Sequence, residues 1–257
     1  MLEDYRALAK VLDALLSEIE AEIRPGTKTS RFNAITEDFI RATGLESSFK
    51  GYRGFPAYVT ASINEEVLNA LPSDRKLAEG DLFKIQAGIK DGVGHSYQAW
   101  TYFVGQPRLQ DEKFVTAGLD ALDRATRQAR TGGDVVDIAR AIQTTIEGAG
   151  YSVNRKYVGH GMGSQQHENP QVPCYVVEPV SLMAHRLRKG QLLSIQVIAH
   201  AGREDSRTLP DHWGVVTRDR SRALTLSQIV AVDDGGPEVL TPPRNCLTSG
   251  PPASRPS

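Results

Sequence analysis

The sequence of 257 residues has few cysteines, almost no net charge and no long apolar run. Its two cysteines, Cys174 and Cys246, are too few for a disulfide framework and lack the spacing of a zinc site. Thirty Lys and Arg residues against 31 Asp and Glu residues give a formal net charge of -1, so no overall attraction to nucleic acid or to an anionic membrane exists. No apolar run approaches the ~20 residues of a membrane-spanning helix. We therefore expect neither nucleic acid nor a membrane as partner.

The remaining composition is that of a globular protein, with 40% hydrophobic and 24% charged residues. The first ten residues, MLEDYRALAK, are charged and amphipathic where a secretory signal would be apolar, so we expect a soluble cytoplasmic protein. Residues 242–257 are rich in Pro and Ser and hold almost no large apolar group. We therefore expect a single domain over residues 1–241, followed by a flexible tail.

Two helices are predicted near the amino terminus. Apolar residues recur at three- and four-residue steps over residues 8–23, and Arg24-Pro25-Gly26 ends the pattern. A second helix is predicted over residues 30–42, with Phe32 and Ile35 on its buried side. Residues 49–75 lose the helical period and are rich in Gly and aromatic residues, which predicts loops and short strands.

The chain contains one internal resemblance. EGDLFKIQA, starting at Glu79, and KGQLLSIQV, starting at Lys189, share a pattern of charge, Gly, polar, two apolar, polar, Ile, Gln and apolar residues. Helices are predicted before the second copy, over residues 112–129 and 134–148. Unless the match is chance, it indicates two related α+β halves with Gln86 and Gln196 at equivalent strand positions.

The segment VGHGMGSQQHENP, residues 158–170, is the richest in candidate catalytic groups. Its three closely spaced glycines are predicted to let the backbone approach a ligand. His160 can exchange a proton near neutral pH, and His167 and Glu168 follow on the same predicted loop. The alternative is a Gly-rich turn whose histidines bond to backbone carbonyls. The spacing fits neither a phosphate loop nor a helical zinc motif, so no cofactor is predicted.

A second candidate segment is the predicted strand GHSYQAWTY, residues 94–102. Because side chains alternate along a strand, His95, Tyr97 and Ala99 should share one face. His95 and Tyr97 would then contact a substrate, with Tyr97 as a hydrogen-bond donor or weak acid. The alternative is that Tyr97 only covers a sheet edge.

Several segments in this order resemble the methionine aminopeptidases. They are SFKGYRGFPAYVTASINEEV, EGDLFKIQAGIKDG, VGHGMGSQQHENPQVPCY and HWGVVTRDRSRALTLSQIVAVDDGGPEVLT. The resemblance covers roughly residues 1–241. It implies the α+β pita-bread fold, in which two halves related by a pseudo-two-fold axis form a curved antiparallel sheet covered by helices. It also implies a dinuclear metal centre that hydrolyses an N-terminal methionyl peptide bond.

The residues at the metal-ligand positions depart from that family. The resemblance places its five ligands on Gln86, Tyr97, His160, Gln196 and Ser227, so only the histidine is kept. Two hard divalent cations need several anionic oxygens, and this set supplies none. We therefore expect no metal site. All four replacements can form hydrogen bonds, which favours an open polar cavity facing a ligand over a network satisfied within the protein.

Other family positions are kept in part. The resemblance places a proton-handling histidine of the family on Asn69, which loses that function, and keeps a second histidine as His167. The aromatic residues that line its methionine side-chain pocket correspond to Tyr52, Phe55 and Trp213. The binding cavity is therefore expected to persist without the metals.

Three functional hypotheses follow. The first is a metal-independent enzyme in which His160, His167 and Tyr97 perform acid/base chemistry, such as cyclisation, elimination, isomerisation or hydrolysis, on a small polar molecule, for example in specialised metabolism. Gln86 and Gln196 would orient that substrate. The second is an inactive pseudo-peptidase that binds a peptide or protein. The third is an aminopeptidase with a single metal at His160.

Overall fold

The computed structural model describes residues 2–246, and both predicted amino-terminal helices are present. Helix α1 ends before the predicted stripe does, and Ile23 enters the core from the turn that follows. The second helix ends where Gly44, in a left-handed conformation (φ 68°), donates its N–H to the carbonyl of Ile40. Four α-helices lie within residues 2–246: α1 (Leu2–Glu20), α2 (Thr29–Thr43), α3 (Leu109–Thr126) and α4 (Val135–Gly148).

Short strands make up the rest of the regular structure, with single 3₁₀ turns at Tyr52–Gly54 and Val180–Leu182. The strands in the described part of the chain are β1 (Glu46–Ser47), β2 (Val59–Ile63), β3 (Glu66–Leu68), β4 (Leu82–Lys90), β5 (His95–Phe103), β6 (Ser152–Val153), β7 (Gly159–Met162), β8 (Glu168–Val172), β9 (Leu192–His200), β10 (Ser206–Thr208), β11 (Val215–Thr217), β12 (Ala223–Ala231) and β13 (Glu238–Val239).

The elements divide into two halves of similar design. In the first, β1, β4 and β2 pair in that order, β5 pairs with β4, and α1 and α2 pack on this sheet. In the second, β13, β12, β9, β7 and β8 pair in that order, β6 pairs with β9, and α3 and α4 cover the sheet. All the pairings are antiparallel. Two helices over an antiparallel sheet, occurring twice, is the predicted α+β arrangement.

The internal resemblance corresponds to the central strand of each half. Gln86 is the fifth residue of β4 and Gln196 is the fifth residue of β9, and each is only partly buried between buried neighbours. Gln86 lies opposite Ala99 of β5, and Gln196 lies opposite Ser227 of β12. The predicted equivalence of the two glutamines is therefore confirmed.

The two halves meet where β5 lies beside β12, and side chains make the connection. The Thr101 hydroxyl donates to the carbonyl of Thr225 (2.8 Å) and accepts from the N–H of Thr225 (3.0 Å). The Ser227 Oγ accepts from the N–H of Ala99 (2.8 Å). The Gln98 amide donates to the carbonyl of Ser227 (3.2 Å). We call this set of hydrogen bonds the seam.

A small third sheet joins the halves a second time. Strand β11 pairs with β10 and also with β3, which comes from the first half of the chain. Asn69 directly follows β3, and Trp213 lies just before β11. This sheet therefore brings residues distant in sequence to the same region between the halves.

The expected tail begins later than predicted. The Cys246 side chain is buried, and its carbonyl accepts the N–H of Phe103 (2.9 Å). The Arg244 guanidinium donates to the Glu20 carboxylate (2.7 Å) and also binds Asp13. Residues 242–246 therefore pack against α1 and β5, because a single arginine and a single cysteine can anchor a segment that is otherwise rich in Pro. The remaining predicted tail, residues 247–257, lies outside the described residues.

No helix within residues 2–246 is both long and apolar enough to cross a lipid bilayer.

Replacement of Arg244 should measurably weaken the fold. Its side chain is only 8% exposed and its partner Glu20 is 26% exposed, so Arg244→Ala removes a largely buried ion pair and should lower the free energy of unfolding by about 1–3 kcal/mol. Arg41 is the matched control, because its side chain is 71% exposed and bonds to Asp38. Arg41→Ala should change the free energy of unfolding by less than about 0.5 kcal/mol. Urea unfolding measures both values. Equal effects of the two variants would mean that residues 242–246 do not stabilise the domain.

Candidate active site

A cavity of about 300 Å³ opens between the two halves, close to the seam. Nine of the predicted site residues line it: Tyr52, Phe55, Asn69, Gln86, Tyr97, His160, His167, Gln196 and Trp213. They come from β4, β5, β7 and β9 and from the loops around Tyr52, Asn69, His167 and Trp213. The topology therefore brings together most of the residues that the sequence predicted.

Two residues of the lining, Tyr97 and His160, are joined by a hydrogen bond. The Tyr97 hydroxyl lies 2.7 Å from His160 Nε2, and both side chains are at least 95% buried. Tyr97 comes from β5 in the first half and His160 from β7 in the second, so this bond crosses between the halves.

The second ring nitrogen of His160 fixes the direction of that bond. His160 Nδ1 lies 2.8 Å from the carbonyl oxygen of Gly161. A carbonyl oxygen only accepts, so Nδ1 carries the proton. Nε2 of the neutral ring is then an acceptor, and the Tyr97 O–H donates to it. The lone pairs of the Tyr97 oxygen face the side chains of Ser194 and Gln196, whose hydrogen bonds partly oppose the effect of burial on the Tyr97 pKa.

A second histidine lies directly beside the first. The rings of His160 and His167 are 4.2 Å apart between centroids. His167 Nδ1 lies 2.9 Å from the Tyr52 hydroxyl, and the two rings are stacked at 5.3 Å. Two imidazoles and two phenols therefore form one cluster at the cavity wall.

Burial favours the neutral forms of His160, His167 and Tyr97. Burial lowers the pKa of His160 from its ordinary value of 6.5. Burial, followed by the neighbouring His160 and the charge of Arg53, lowers the pKa of His167 to about 4. Burial raises the pKa of Tyr97 well above its ordinary value. Each group is thus held in the form that can exchange a proton with a neutral partner.

The position of Tyr97 depends on a glycine on the neighbouring strand. Gly88 of β4 lies opposite Tyr97 in the sheet, and a Cβ atom on Gly88 would come within 2.5 Å of the Tyr97 Cβ. Phe49 packs edge-on against the Tyr97 ring, with centroids 6.0 Å apart. A side chain at position 88 would therefore displace the phenol.

The two glutamines and an aromatic pair form the other walls. Gln86 and Gln196 present neutral amides from the two halves, and the Gln196 amide donates to the Ser194 hydroxyl (3.3 Å). Phe55 and Trp213 meet edge to face with centroids 5.1 Å apart. The cavity thus has a polar side and an apolar side.

The glycines of residues 158–170 do not have the predicted role of bringing the backbone close to a ligand, although His160 and His167 of the same segment line the cavity. The segment forms the strands β7 and β8, joined by a short loop, and its glycines allow close packing of protein on protein. A Cβ on Gly159 would lie 2.3 Å from the Ser194 carbonyl oxygen, and one on Gly161 would lie 2.2 Å from the Asn169 carbonyl oxygen. The close approach was predicted correctly, but the neighbouring backbone takes the place expected for a ligand.

Three predicted site residues do not line the cavity. Glu168 is not part of the lining, and its carboxylate accepts the N–H of Gln165 (2.9 Å). Ser227 is fully buried in the seam. His95 is only partly buried, and its Nδ1 lies 3.2 Å from the Ser48 hydroxyl. Each of the three is close to a lining residue, either along the chain or as its partner on the neighbouring strand. Such closeness does not by itself place a side chain in the cavity.

Arg53 and Gln166 are among the polar residues of the lining that sequence reasoning missed, with Thr60, Tyr157 and Thr225. Arg53 lies between two aromatic residues in the segment YRGF, and Gln166 directly precedes His167. Each is adjacent in sequence to a residue that was predicted to line the cavity. A polar residue beside such an aromatic residue or histidine was the signal that could have identified them.

Comparison with known proteins agrees with this architecture. Residues 3–230 match the model of metallopeptidase family M24. Methionine aminopeptidase 1 of Bacillus subtilis (strain 168) is 35% identical over 92% of this chain and 94% of its own length. Methionine aminopeptidase of Escherichia coli (strain K12) is 34% identical over 93% of this chain and 90% of its own. The crystal structure of methionine aminopeptidase from Thermotoga maritima superposes with a TM-score of 0.86 at 30% identity, covering 92% of this chain and 94% of that one.

The fold and its cavity between two halves thus define a protein of the pita-bread class. The chain belongs to metallopeptidase family M24, and among its members it is methionine aminopeptidase-like.

The residues of the cavity do not suit the metal pair that the family name implies. The positions matched to the five ligands hold one imidazole, two amides, a phenol and a hydroxyl, and hard divalent cations require anionic oxygens. Neither His160 nitrogen has a free lone pair, because Nδ1 donates to Gly161 and Nε2 accepts from Tyr97. Within residues 2–246, no group of three or more His, Cys, Asp and Glu side chains is arranged to hold a metal ion.

The Tyr97–His160 bond makes a prediction that NMR can check. In the wild type, ¹⁵N spectra should show His160 neutral at pH 7 with its proton on Nδ1. A hydrogen bond donated to the neutral ring lowers the imidazole pKa, so Tyr97→Phe should raise the His160 pKa. Tyr175→Phe, which removes a hydroxyl bonded to the carbonyl of Arg155, is the control and should leave it unchanged. A proton on Nε2, or the same His160 pKa in all three proteins, would contradict this assignment.

The lowered pKa of His167 should also appear as a pH dependence of stability. The folded protein binds fewer protons than the unfolded chain between about pH 4 and pH 6.5. The free energy of unfolding should therefore fall as pH falls through this window. His167→Gln should remove part of that fall, and His185→Gln, outside the cavity, is the control. A wild-type slope that His167→Gln leaves intact would show that His167 does not cause it.

Proposed function

We propose that this protein is an enzyme that performs acid/base chemistry without a metal ion, using the cluster of Tyr97, His160 and His167. The observation that carries the proposal is the 2.7 Å hydrogen bond from Tyr97 to His160 Nε2 inside a cavity. The bond joins a proton donor, Tyr97, to a proton acceptor, His160. A proton can move between them at a place that a small molecule can reach.

The proton path follows from the assigned tautomer. A substrate O–H, N–H or activated C–H can donate its proton to the Tyr97 oxygen while the phenolic proton moves to His160 Nε2. His160 then becomes an imidazolium that donates from both nitrogens, to Tyr97 and to Gly161. The reverse transfer returns the proton to the product. Tyr97 therefore contacts the substrate, and His160 holds the proton.

His167 stabilises the charge that develops on the substrate. With the Tyr52 hydroxyl donating to Nδ1, the proton of neutral His167 resides on Nε2. A neutral donor of this kind suits an enolate or oxyanion formed when the substrate loses its proton.

The remaining walls determine what can bind. Gln86 and Gln196 hold polar groups of the substrate from opposite halves, and Phe55 and Trp213 contact its apolar part. A cavity of about 300 Å³ admits a small molecule. The reaction classes that one proton-transfer centre supports are isomerisation, elimination, cyclisation and hydrolysis.

The names of the relatives suggest a different activity, removal of an N-terminal methionine. If this chain removed an N-terminal methionine, the reaction would need a metal-activated water. The neutral residues at the matched positions argue against it, and the hydrogen bond occupying His160 Nε2 argues against a single metal there.

The experiment separates these functions. Chelator-treated protein is incubated with a methionyl tripeptide and, separately, with the small-molecule fraction of a cell extract, and mass changes are followed by liquid chromatography with mass spectrometry. We expect no methionine release with or without added Co²⁺ or Mn²⁺, and at least one metal-independent conversion. His160→Ala should lower that conversion by about 10²-fold or more, and His185→Ala is the matched control.

Two outcomes would overturn the proposal. Methionine release that vanishes with chelator and returns with metal would establish an aminopeptidase. A metal-independent conversion that survives in His160→Ala at the wild-type rate would remove His160 from the chemistry.

A further inference from the structure

The cavity lacks the acidic groups that would hold an ammonium ion. Within the described residues its lining contains no Asp and no Glu, and its histidines are neutral at pH 7. The formal charge in the lining is carried by the Arg53 guanidinium. The cavity is therefore electropositive.

Arg53 has no acidic partner among residues 2–246. The guanidinium carbon lies 5.4 Å from the centre of the Tyr52 ring, and the structure shows no ion pair for it. Its backbone is in the left-handed region (φ 50°), within the 3₁₀ turn that also positions Tyr52. Its charge also contributes to the low pKa of His167, which places it beside the catalytic cluster.

Gln166 supplies a second, independent indication of a ligand. It lines the cavity and is only 4% exposed, yet its Oε1 has no hydrogen-bond partner. An unpaired buried acceptor costs about 1–3 kcal/mol, which a donor on a bound molecule would recover.

We propose that the cavity binds small molecules that carry a carboxylate and a hydrogen-bond donor, with Arg53 binding the carboxylate and Gln166 Oε1 accepting from the donor. As a substrate class, this inference rests on the proposed function. A guanidinium pairs with a carboxylate through two parallel hydrogen bonds. A single guanidinium matches one negative charge, which favours a carboxylate over a dianionic phosphate. Hydroxy acids and N-acylated amino acids have both required groups.

Equilibrium binding tests this proposal without any turnover. The probes are hexanoate, hexanamide and hexylammonium, which share an alkyl chain for the apolar wall and differ in charge. Trp213 lies in the cavity, so its fluorescence reports binding, with calorimetry as a second measurement. We expect wild-type protein to bind hexanoate at least about tenfold more tightly than hexanamide, and hexylammonium most weakly.

Variants assign the selectivity to residues. Arg53→Gln should remove the preference for hexanoate over hexanamide. Lys50→Gln is the matched control, because Lys50 is an exposed cation on the same loop that lies over the Tyr58 ring. 2-Hydroxyhexanoate should bind more tightly than hexanoate to wild type, and Gln166→Leu should remove that gain. Circular dichroism confirms that each variant is folded.

Several results would overturn the inference. They are equal binding of hexanamide and hexanoate, no hexanoate binding below about 20 mM, and unchanged selectivity in Arg53→Gln. Inorganic phosphate displacing hexanoate at equal or lower concentration would make this a phosphate site instead. Because no turnover is measured, carboxylate selectivity in a protein with no metal-independent conversion would refute the proposed enzyme while supporting the binding site.

Discussion

The seam between β5 and β12 is the constraint on which the site depends. Two sheets meet there through the hydroxyls of Thr101 and Ser227 and the amide of Gln98, with side chains bonding to backbone across the boundary. A side-chain connection fixes both the distance and the register of the halves, since each hydroxyl bonds across the seam to the backbone of a single residue. Tyr97, on the same strand, is thereby held opposite the histidines of the second half.

The absence of acidic side chains from the cavity lining, within the described residues, is the second feature that unifies the site. Amides, phenols and neutral imidazoles can lie close together without the repulsion and desolvation that carboxylates would suffer in the absence of cations. Their partners are mostly internal: Tyr97 with His160, Tyr52 with His167 and Gln196 with Ser194. Arg53, which forms no ion pair in the described part of the chain, and Gln166 Oε1, which has no hydrogen-bond partner, are among the groups that the protein does not satisfy itself, and both residues line the same cavity.

Sequence patterns predicted the parts of this molecule that follow from periodicity and from long collinear resemblance. The amphipathic helices, the repeated strands and the equivalence of Gln86 and Gln196 are of this kind, because burial imposes spacing on the sequence. What a side chain faces across a strand boundary depends on three-dimensional packing, and there the predictions for Ser227, His95 and Glu168 were wrong. The glycines of residues 158–170 show the same limit, since a missing Cβ indicates close approach but not by what.

The Tyr97–His160 bond has a mechanical consequence. Its donor belongs to one half and its acceptor to the other. The length of this hydrogen bond therefore depends on how the two halves are placed relative to each other. The two atoms are 2.7 Å apart, and an increase of less than 1 Å in that distance would break the hydrogen bond. A molecule that contacts both Gln86 and Gln196, or a substitution in the seam, would therefore change the distance between Tyr97 and His160 if it changed the placement of the halves. The walls of the cavity and the Tyr97–His160 bond at its side thus depend on the same contact between the two halves.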